Sequence, residues 1–214
     1  MNGHCPGLYG IYDEETSRKK GISLEEFVRA FAGGGGRILQ YRNKTDTPGD
    51  VLKISEKILP LIDSISTGEE FHFIMNDYAR IAIRLGIPFH LGQTDPLPHG
   101  YSNSLFWGRS THNMEEVDAA LQEFPPPDYI GFGAMFPSQT KTTAAVATPA
   151  VDSVMKRWEK EIVFIGGITL DNLLMLPHSP RIFHAVISDF FRYGNTPADV
   201  ERYTREFIGK LKYA

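Results

Sequence analysis

Runs of six to eight mostly apolar residues alternate with helical patterns along nearly the whole chain. The runs are "LYGIYD" (8–13), "RILQYR" (37–42), "FHFIMN" (71–76), "IPFHLG" (87–92), "LFWGRS" (105–110), "DYIGFG" (128–133), "EIVFIGG" (161–167) and "RIFHAVIS" (181–188). Helices are predicted at 48–65, 77–86, 113–123, 150–160, 169–176 and 196–212, with one more in "SLEEFVRAFAGGGG". That last segment has Ser23 as N-cap, Glu26 three residues on as in a capping box, an apolar face of Leu24, Phe27, Val28 and Phe31, and a glycine stop. Strands that alternate with helices imply a parallel sheet under helical cover. Eight βα units in 214 residues fit a single-domain α/β fold, the TIM (β/α)8 barrel, spanning residues 1–214. An open doubly wound sheet is the structural alternative. Residues 92–104, "GQTDPLPHGYSNS", carry little helical signal, so the fourth crossover is expected to be a loop or one short turn.

The second strand shows where function enters. Strand side chains alternate, so Ile38, Gln40, Arg42 and Lys44 share one face, and Leu39 and Tyr41 the other. One face thus runs from packing to an amide, a guanidinium and an ammonium. Similar clusters close six of the other seven strands: Asn76 and Asp77, Gln93 and Asp95, Ser110 to His112, "FPSQTK" (136–141), Gly166 and Gly167, and Ser188. In a barrel the carboxyl ends of the strands meet at one mouth, where the βα loops build the active site.

The net charge is −4 and the pI about 6.0, which argues against nucleic acid or an anionic membrane as partner. An anion site must therefore be local. Arg42, Lys44 and Lys141 suit a phosphate or diphosphate. Asp77 and Asp95 offer hard oxygen ligands of the kind Mg²⁺ takes together with substrate phosphates. "FIGGITLDN" offers backbone N–H groups and a helix N-terminus to a second phosphate, to which Ser188 adds a hydroxyl. Plainer roles stand beside these: strand-end charges for Arg42 and Lys44, a helix cap for Asp77, a turn residue for Asp95, a cap for His112 and a partnered wall residue for His90. Phe71, Phe73, Phe89, Phe106, Phe132 and Phe136 read mainly as core.

The lone Cys5 excludes an internal disulfide and fits a reducing compartment. "MNGHCPGLYG" has neither a basic nor an apolar signal region, and no window reaches the length of a membrane helix. A cytoplasmic protein acting on small phosphorylated molecules, as a monomer or a homo-oligomer, is expected.

"QYRNK", "MND", "HLGQTD", "GRSTH", "DYIGFGAMFPSQTK", "IGGI" and "AVIS" resemble, in order and approximate spacing, the thiamine phosphate synthase family. The similarity runs from about residue 8 to about residue 190. It implies a TIM barrel transferase that joins hydroxymethylpyrimidine diphosphate to a thiazole phosphate, releases diphosphate and requires Mg²⁺. By this resemblance Gln40, Arg42, Lys44, Asn76 and Lys141 face the pyrimidine diphosphate, Asp77 and Asp95 hold Mg²⁺, and Ser110 lies near the pyrimidine and the leaving group. Ser138, Thr140, Gly167, Ile187 and Ser188 would form the thiazole phosphate pocket. Arg42, Lys44, Ser110 and Lys141 would be the catalytic set. The chain departs from the family pattern at Gly133-Ala134-Met135, at Ser138 in place of Thr, at Tyr78, in "TTAAVATPAV" after Lys141, and between Asp95 and Ser110, where a helix is expected in the family. The alternatives are a thiazole tautomerase of the same superfamily with His112 as acid/base, a Schiff-base aldolase with Lys141 as nucleophile, and a catalytically silent ligand-binding barrel.

Overall fold

A computed structural model describes residues 7–66, 70–101, 104–137 and 148–212. Its eight strands pair in parallel and in sequence order, and the last pairs with the first to close a barrel. The strands are β1 (Leu8–Asp13), β2 (Ile38–Arg42), β3 (His72–Asn76), β4 (Phe89–Leu91), β5 (Trp107–Thr111), β6 (Tyr129–Gly133), β7 (Glu161–Ile165) and β8 (Ile182–Val186). The helices are α1 (Glu14–Lys19), α2 (Leu24–Gly33), α3 (Pro48–Ile65), α4 (Ala79–Leu85), α5 (Met114–Leu121), α6 (Thr148–Arg157) and α7 (Pro197–Lys212). None of the described helices is long and apolar enough to cross a membrane.

Strand alternation divides the core in two. Tyr9, Ile11, Ile38, Ile74, Tyr129, Val163, Phe183 and Ala185 point inward and fill the barrel. The outward set, including Leu39, Tyr41, Phe73, Phe89 and Trp107, packs under the helices. The expected phenylalanine core follows this plan: Phe71, Phe73, Phe89 and Phe132 are buried, and Phe106 and Phe136 pack against the two clusters. The predicted capping box is present, with Ser23 Oγ accepting from Glu26 N–H and the Glu26 carboxylate accepting from Ser23 N–H. Gly10 lets α2 approach β1, because a Cβ there would stand 2.7 Å from the Phe31 ring.

Two expectations need correction, and one helix was not expected. The helix predicted over 169–176 is only a 3-10 turn, Leu173–Met175. The Asn172 side chain ends the regular pattern by accepting from Thr169 N–H (2.8 Å) and donating to Gly167 O (2.8 Å). Strand β8 stops at Val186, and Ser188 opens a second 3-10 turn, Ser188–Phe191. Helix α1 has no apolar stripe to announce it. Asp13 caps it, and the pairs Glu14–Arg18 and Glu15–Lys19 support it at i,i+4 spacing. The β4–β5 crossover contains no helix among its described residues, as expected.

Candidate functional site

Parallel register brings the polar ends of the strands to one mouth. Arg42 ends β2 opposite Asp13 of β1, and Asn76 ends β3 opposite His90 of β4. Each cation of the β2 end meets a carboxylate. Arg42 Nη1 pairs with Asp13 Oδ2, and Lys44 Nζ lies 3.2 Å from Asp77 Oδ2. Asp13 also accepts from Thr16 N–H (3.0 Å) and Thr16 Oγ1 (2.7 Å). Burial alone would push its carboxyl up, but the Thr16 bonds and then the Arg42 guanidinium outweigh burial and hold it below the usual range.

Asp77 has φ +65°, the only positive φ outside glycine among the described residues. Strained backbone of this kind gathers at functional sites. Asp77 N–H donates to His90 O (2.9 Å), fastening β3 to β4. It is not the helix cap: Tyr78 holds that position, without a side-chain bond. Beside it, Asn76 is only 6% exposed, and its Nδ2 has no hydrogen-bond partner. Four other buried side-chain atoms of the described residues share that condition, and they belong to Trp107, His178 and His184. An unpaired buried N–H costs about 1–3 kcal/mol, so one at a mouth lined with cations calls for an acceptor from outside the chain.

Asp95 closes a turn, its Oδ2 accepting from Gly92 N–H at 2.9 Å, which gives the plainer role of this residue a structural basis. The turn is tied to the barrel by Arg109. This outward residue of β5 is 5% exposed and donates from Nη1 to Gly92 O (2.6 Å) and Asp95 O (2.7 Å). Its Nε and Nη2 bind the Glu123 carboxylate at 2.8 and 2.6 Å. Among the described residues no three metal-liganding side chains come together. Asp77 and Asp95 carry carboxylates of the hard-oxygen kind, the first paired with Lys44 and the second accepting from Gly92 N–H.

Beneath the mouth, His90 is the partnered wall residue expected of it. Its Nδ1 lies 3.1 Å from Tyr129 OH and its Nε2 lies 2.8 Å from Ser110 Oγ. Burial, and secondarily the Arg109 charge, push its pKa down to about 3, so it is neutral at physiological pH. Gln40 Nε2 donates to Tyr9 OH at 3.0 Å. His112 is held by Glu116, whose Oε2 accepts from its backbone N–H (2.8 Å) and faces its Nδ1 (3.1 Å). The cap of α5 is Asn113 rather than His112.

Across the mouth, Gly167 follows β7 with φ +65°, and a Cβ there would stand 2.7 Å from Phe136 O and 2.8 Å from Pro137 O. Glycine is needed for both reasons. Ile187 and Ser188 follow β8, and Ile187 packs against the inner cluster. Asp189 joins the two segments by accepting from Leu170 N–H (3.0 Å) and Tyr203 OH (2.7 Å). With a 3-10 turn after Gly167, any phosphate here would meet loop N–H groups and the Ser188 hydroxyl instead of the expected helix N-terminus. Ser138, Thr140 and Lys141 lie outside the described residues.

Sequence reasoning passed over Asp13, Arg109, Tyr9 and Tyr129. Asp13 had a signal, being the polar end of the one strand not counted among the mouth clusters. Arg109 had one too: a charge between Trp107 and Thr111 on a face that should be apolar. The two tyrosines had none, since their phenols meet across 120 positions of sequence.

The family model of thiamine monophosphate synthase (TMP-TENI) matches residues 8–190. Among solved structures, the chain is similar to thiamine phosphate pyrophosphorylase from Pyrococcus furiosus, at 23% identity over 95% of this chain and 96% of that one, with a TM-score of 0.72. The corresponding enzyme of Bacteroides thetaiotaomicron aligns at 19% identity over 96% and 98%, with a TM-score of 0.63. Phosphoribosyl anthranilate isomerase from Thermotoga maritima aligns at 14% over 97% and 100%, with a TM-score of 0.62. At these identities the solved structures speak for the barrel alone. The family match covers most of the chain and includes every strand, and by it this chain belongs to the thiamine monophosphate synthase family, a family of transferases.

Proposed function

We propose that the protein joins hydroxymethylpyrimidine diphosphate to a thiazole phosphate, forming thiamine phosphate and releasing diphosphate. The observation that carries this is the unpartnered Asn76 amide at the mouth beside the Arg42 and Lys44 cations, in a chain of this family. Gln40, Arg42, Lys44, Asn76 and Lys141 would bind the diphosphate half, with Ser110 near the pyrimidine. Ser138, Thr140, Gly167, Ile187 and Ser188 would receive the thiazole phosphate.

The C–O bond of the pyrimidine-methyl diphosphate breaks first, and its electron pair leaves with the diphosphate. The thiazole nitrogen lone pair then forms the C–N bond, so no proton need be exchanged. The demand on the protein is charge stabilisation, which preorganised cations and N–H donors supply. Asp77 and Asp95 would hold Mg²⁺, which would add positive charge beside the departing diphosphate. The tautomerase alternative has no leaving diphosphate, and so gives no role to Arg42, Lys44 and the unpartnered Asn76 amide at the mouth. The single cysteine is in keeping with a cytoplasmic setting.

Incubating the purified protein with both substrates and Mg²⁺ should yield thiamine phosphate and diphosphate in equal amounts. Chelation should stop the reaction and added Mg²⁺ restore it. Failure to form product with both substrates and Mg²⁺ present would overturn the proposal, and turnover that survives chelation would remove the metal role of Asp77 and Asp95.

A further inference from the structure

A line of hydrogen bonds crosses the barrel below the mouth and ends at two mouth residues. Gln40 Nε2 donates to Tyr9 OH (3.0 Å), which lies 2.8 Å from Tyr129 OH. Tyr129 OH is 3.1 Å from His90 Nδ1, and His90 Nε2 is 2.8 Å from Ser110 Oγ. The five residues come from five different strands, and all but Ser110 are buried. Two inward glycines make room for the line. A Cβ on Gly108 would overlap the Tyr129 ring, and one on Gly131 would stand 3.3 Å from His90 Cε1.

Each hydroxyl in the line has one proton to give, and a neutral imidazole has one N–H. Direction set at one end therefore passes along the line. The Gln40 amide nitrogen can only donate, so Tyr9 accepts there and turns its own proton to Tyr129. Were Tyr129 to donate to Tyr9 instead, the Tyr9 proton would be left without an acceptor in a buried place, at a cost that favours the first order. Tyr129 then donates to His90 Nδ1, His90 carries its proton on Nε2, and that proton goes to Ser110 Oγ. The hydroxyl proton of Ser110 is left for an acceptor outside the line.

We propose that Tyr9, Tyr129 and His90 are positioning residues that order the protons of this line, holding His90 as its Nε2–H tautomer and Ser110 as a hydrogen-bond donor toward substrate. The part concerning substrate rests on the function proposed above, whereas the tautomer does not. An ordered donor matters most where negative charge grows. In the proposed reaction that is the oxygen of the breaking C–O bond, so the Ser110 bond would strengthen as the bond breaks.

Nitrogen-15 NMR of histidine-labelled protein tests the order directly. The His90 signals are identified by their loss in His90→Asn or, should that variant not fold, by through-space contacts to the Tyr129 ring. The expected state is Nε2–H, with Nδ1 an acceptor. An Nδ1–H tautomer in the unmodified protein overturns the relay even in an active enzyme. In Tyr129→Phe the preference should collapse toward a mixture, and kcat should fall about tenfold with the KM for the pyrimidine diphosphate within about twofold. A Tyr129→Phe protein that keeps a pure Nε2–H state, or keeps kcat, overturns the ordering role. If His90 is Nε2–H but no thiamine phosphate forms, the order stands and the assigned reaction falls.

Discussion

Arg109 and Glu123 face each other in a two-pronged ion pair on the outside of β5, at 2.8 Å (Nε–Oε1) and 2.6 Å (Nη2–Oε2). The remaining arm of the guanidinium holds the carbonyls of Gly92 and Asp95. Breaking a fully buried pair by removing one partner costs about 3–5 kcal/mol, and the partly exposed Glu123 puts this pair at the low end of that range. Arg109→Met should therefore lower stability by about 3 kcal/mol in urea unfolding and make residues 92–104 the first site of limited proteolysis. The Mg²⁺ concentration for half-maximal turnover should also rise. An unchanged cleavage pattern would show that the crossover does not depend on this residue.

The unpartnered Asn76 amide sets stability against function. Asn76→Leu removes an unsatisfied donor of similar size, so the variant should be as stable as the parent or more stable by about 1 kcal/mol. Turnover should fall at least about tenfold through loss of a bond to substrate. Thermal unfolding and steady-state kinetics, measured on the same preparation, separate the two effects. A clear loss of stability would mean that the amide has a partner within the fold.

At Asp77 the backbone conformation and the carboxylate can be tested apart. Asp77→Gly should relieve the φ +65° strain, and Asp77→Ala should keep it, making the glycine variant more stable by about 1 kcal/mol. Both should lose activity by about a hundredfold or more, because neither carries the carboxylate. Equal melting temperatures would indicate that the conformation costs nothing here.

Lys141 lies outside the described residues, and its part rests on the sequence. Lys141→Ala should reduce turnover by about a hundredfold or more with little change in melting temperature. Borohydride should trap no substrate adduct on the parent protein. A fully active Lys141→Ala protein would remove this residue from the catalytic set.

His184 sits on the outward face of β8, its Nδ1 without a partner. Burial, and then the nearby His178, push its pKa down to about 4. A histidine depressed in the fold binds its proton more readily when unfolded, so stability rises with pH between about 4 and about 6.5 and is lost on acidification through that window. The loss from this one group approaches about 3 kcal/mol by pH 4. His184→Phe should flatten that part of the stability–pH curve, measured by urea midpoints from pH 7 to pH 4. An identical curve for parent and variant would assign the acid sensitivity elsewhere.

Much of this architecture was legible because strand periodicity and strand-end polarity are local properties. The "ILQYRNK" stretch already held one face that turns from Ile38 to Gln40 and Arg42, and parallel register only had to bring it to a common mouth. Helix α1 was not legible because charge pairs and a cap sustain it without an apolar stripe. The 169–176 pattern misled because its apolar spacing says nothing of the Asn172 side chain that closes a tighter turn. Tyr9 and Tyr129 pass for core aromatics in sequence, since a phenol and a phenyl ring follow the same period and only the closed barrel brings the two hydroxyls together.

The pairing of Arg42 with Asp13 and of Lys44 with Asp77 bears on how a substrate would arrive. Two cations already matched by two carboxylates send little field into solution, so the approach of a diphosphate gains little from long-range attraction. Recognition by these residues becomes an exchange, in which incoming phosphate oxygens take over donors that carboxylates had been using. Association should then be slow for so charged a ligand and respond only weakly to salt.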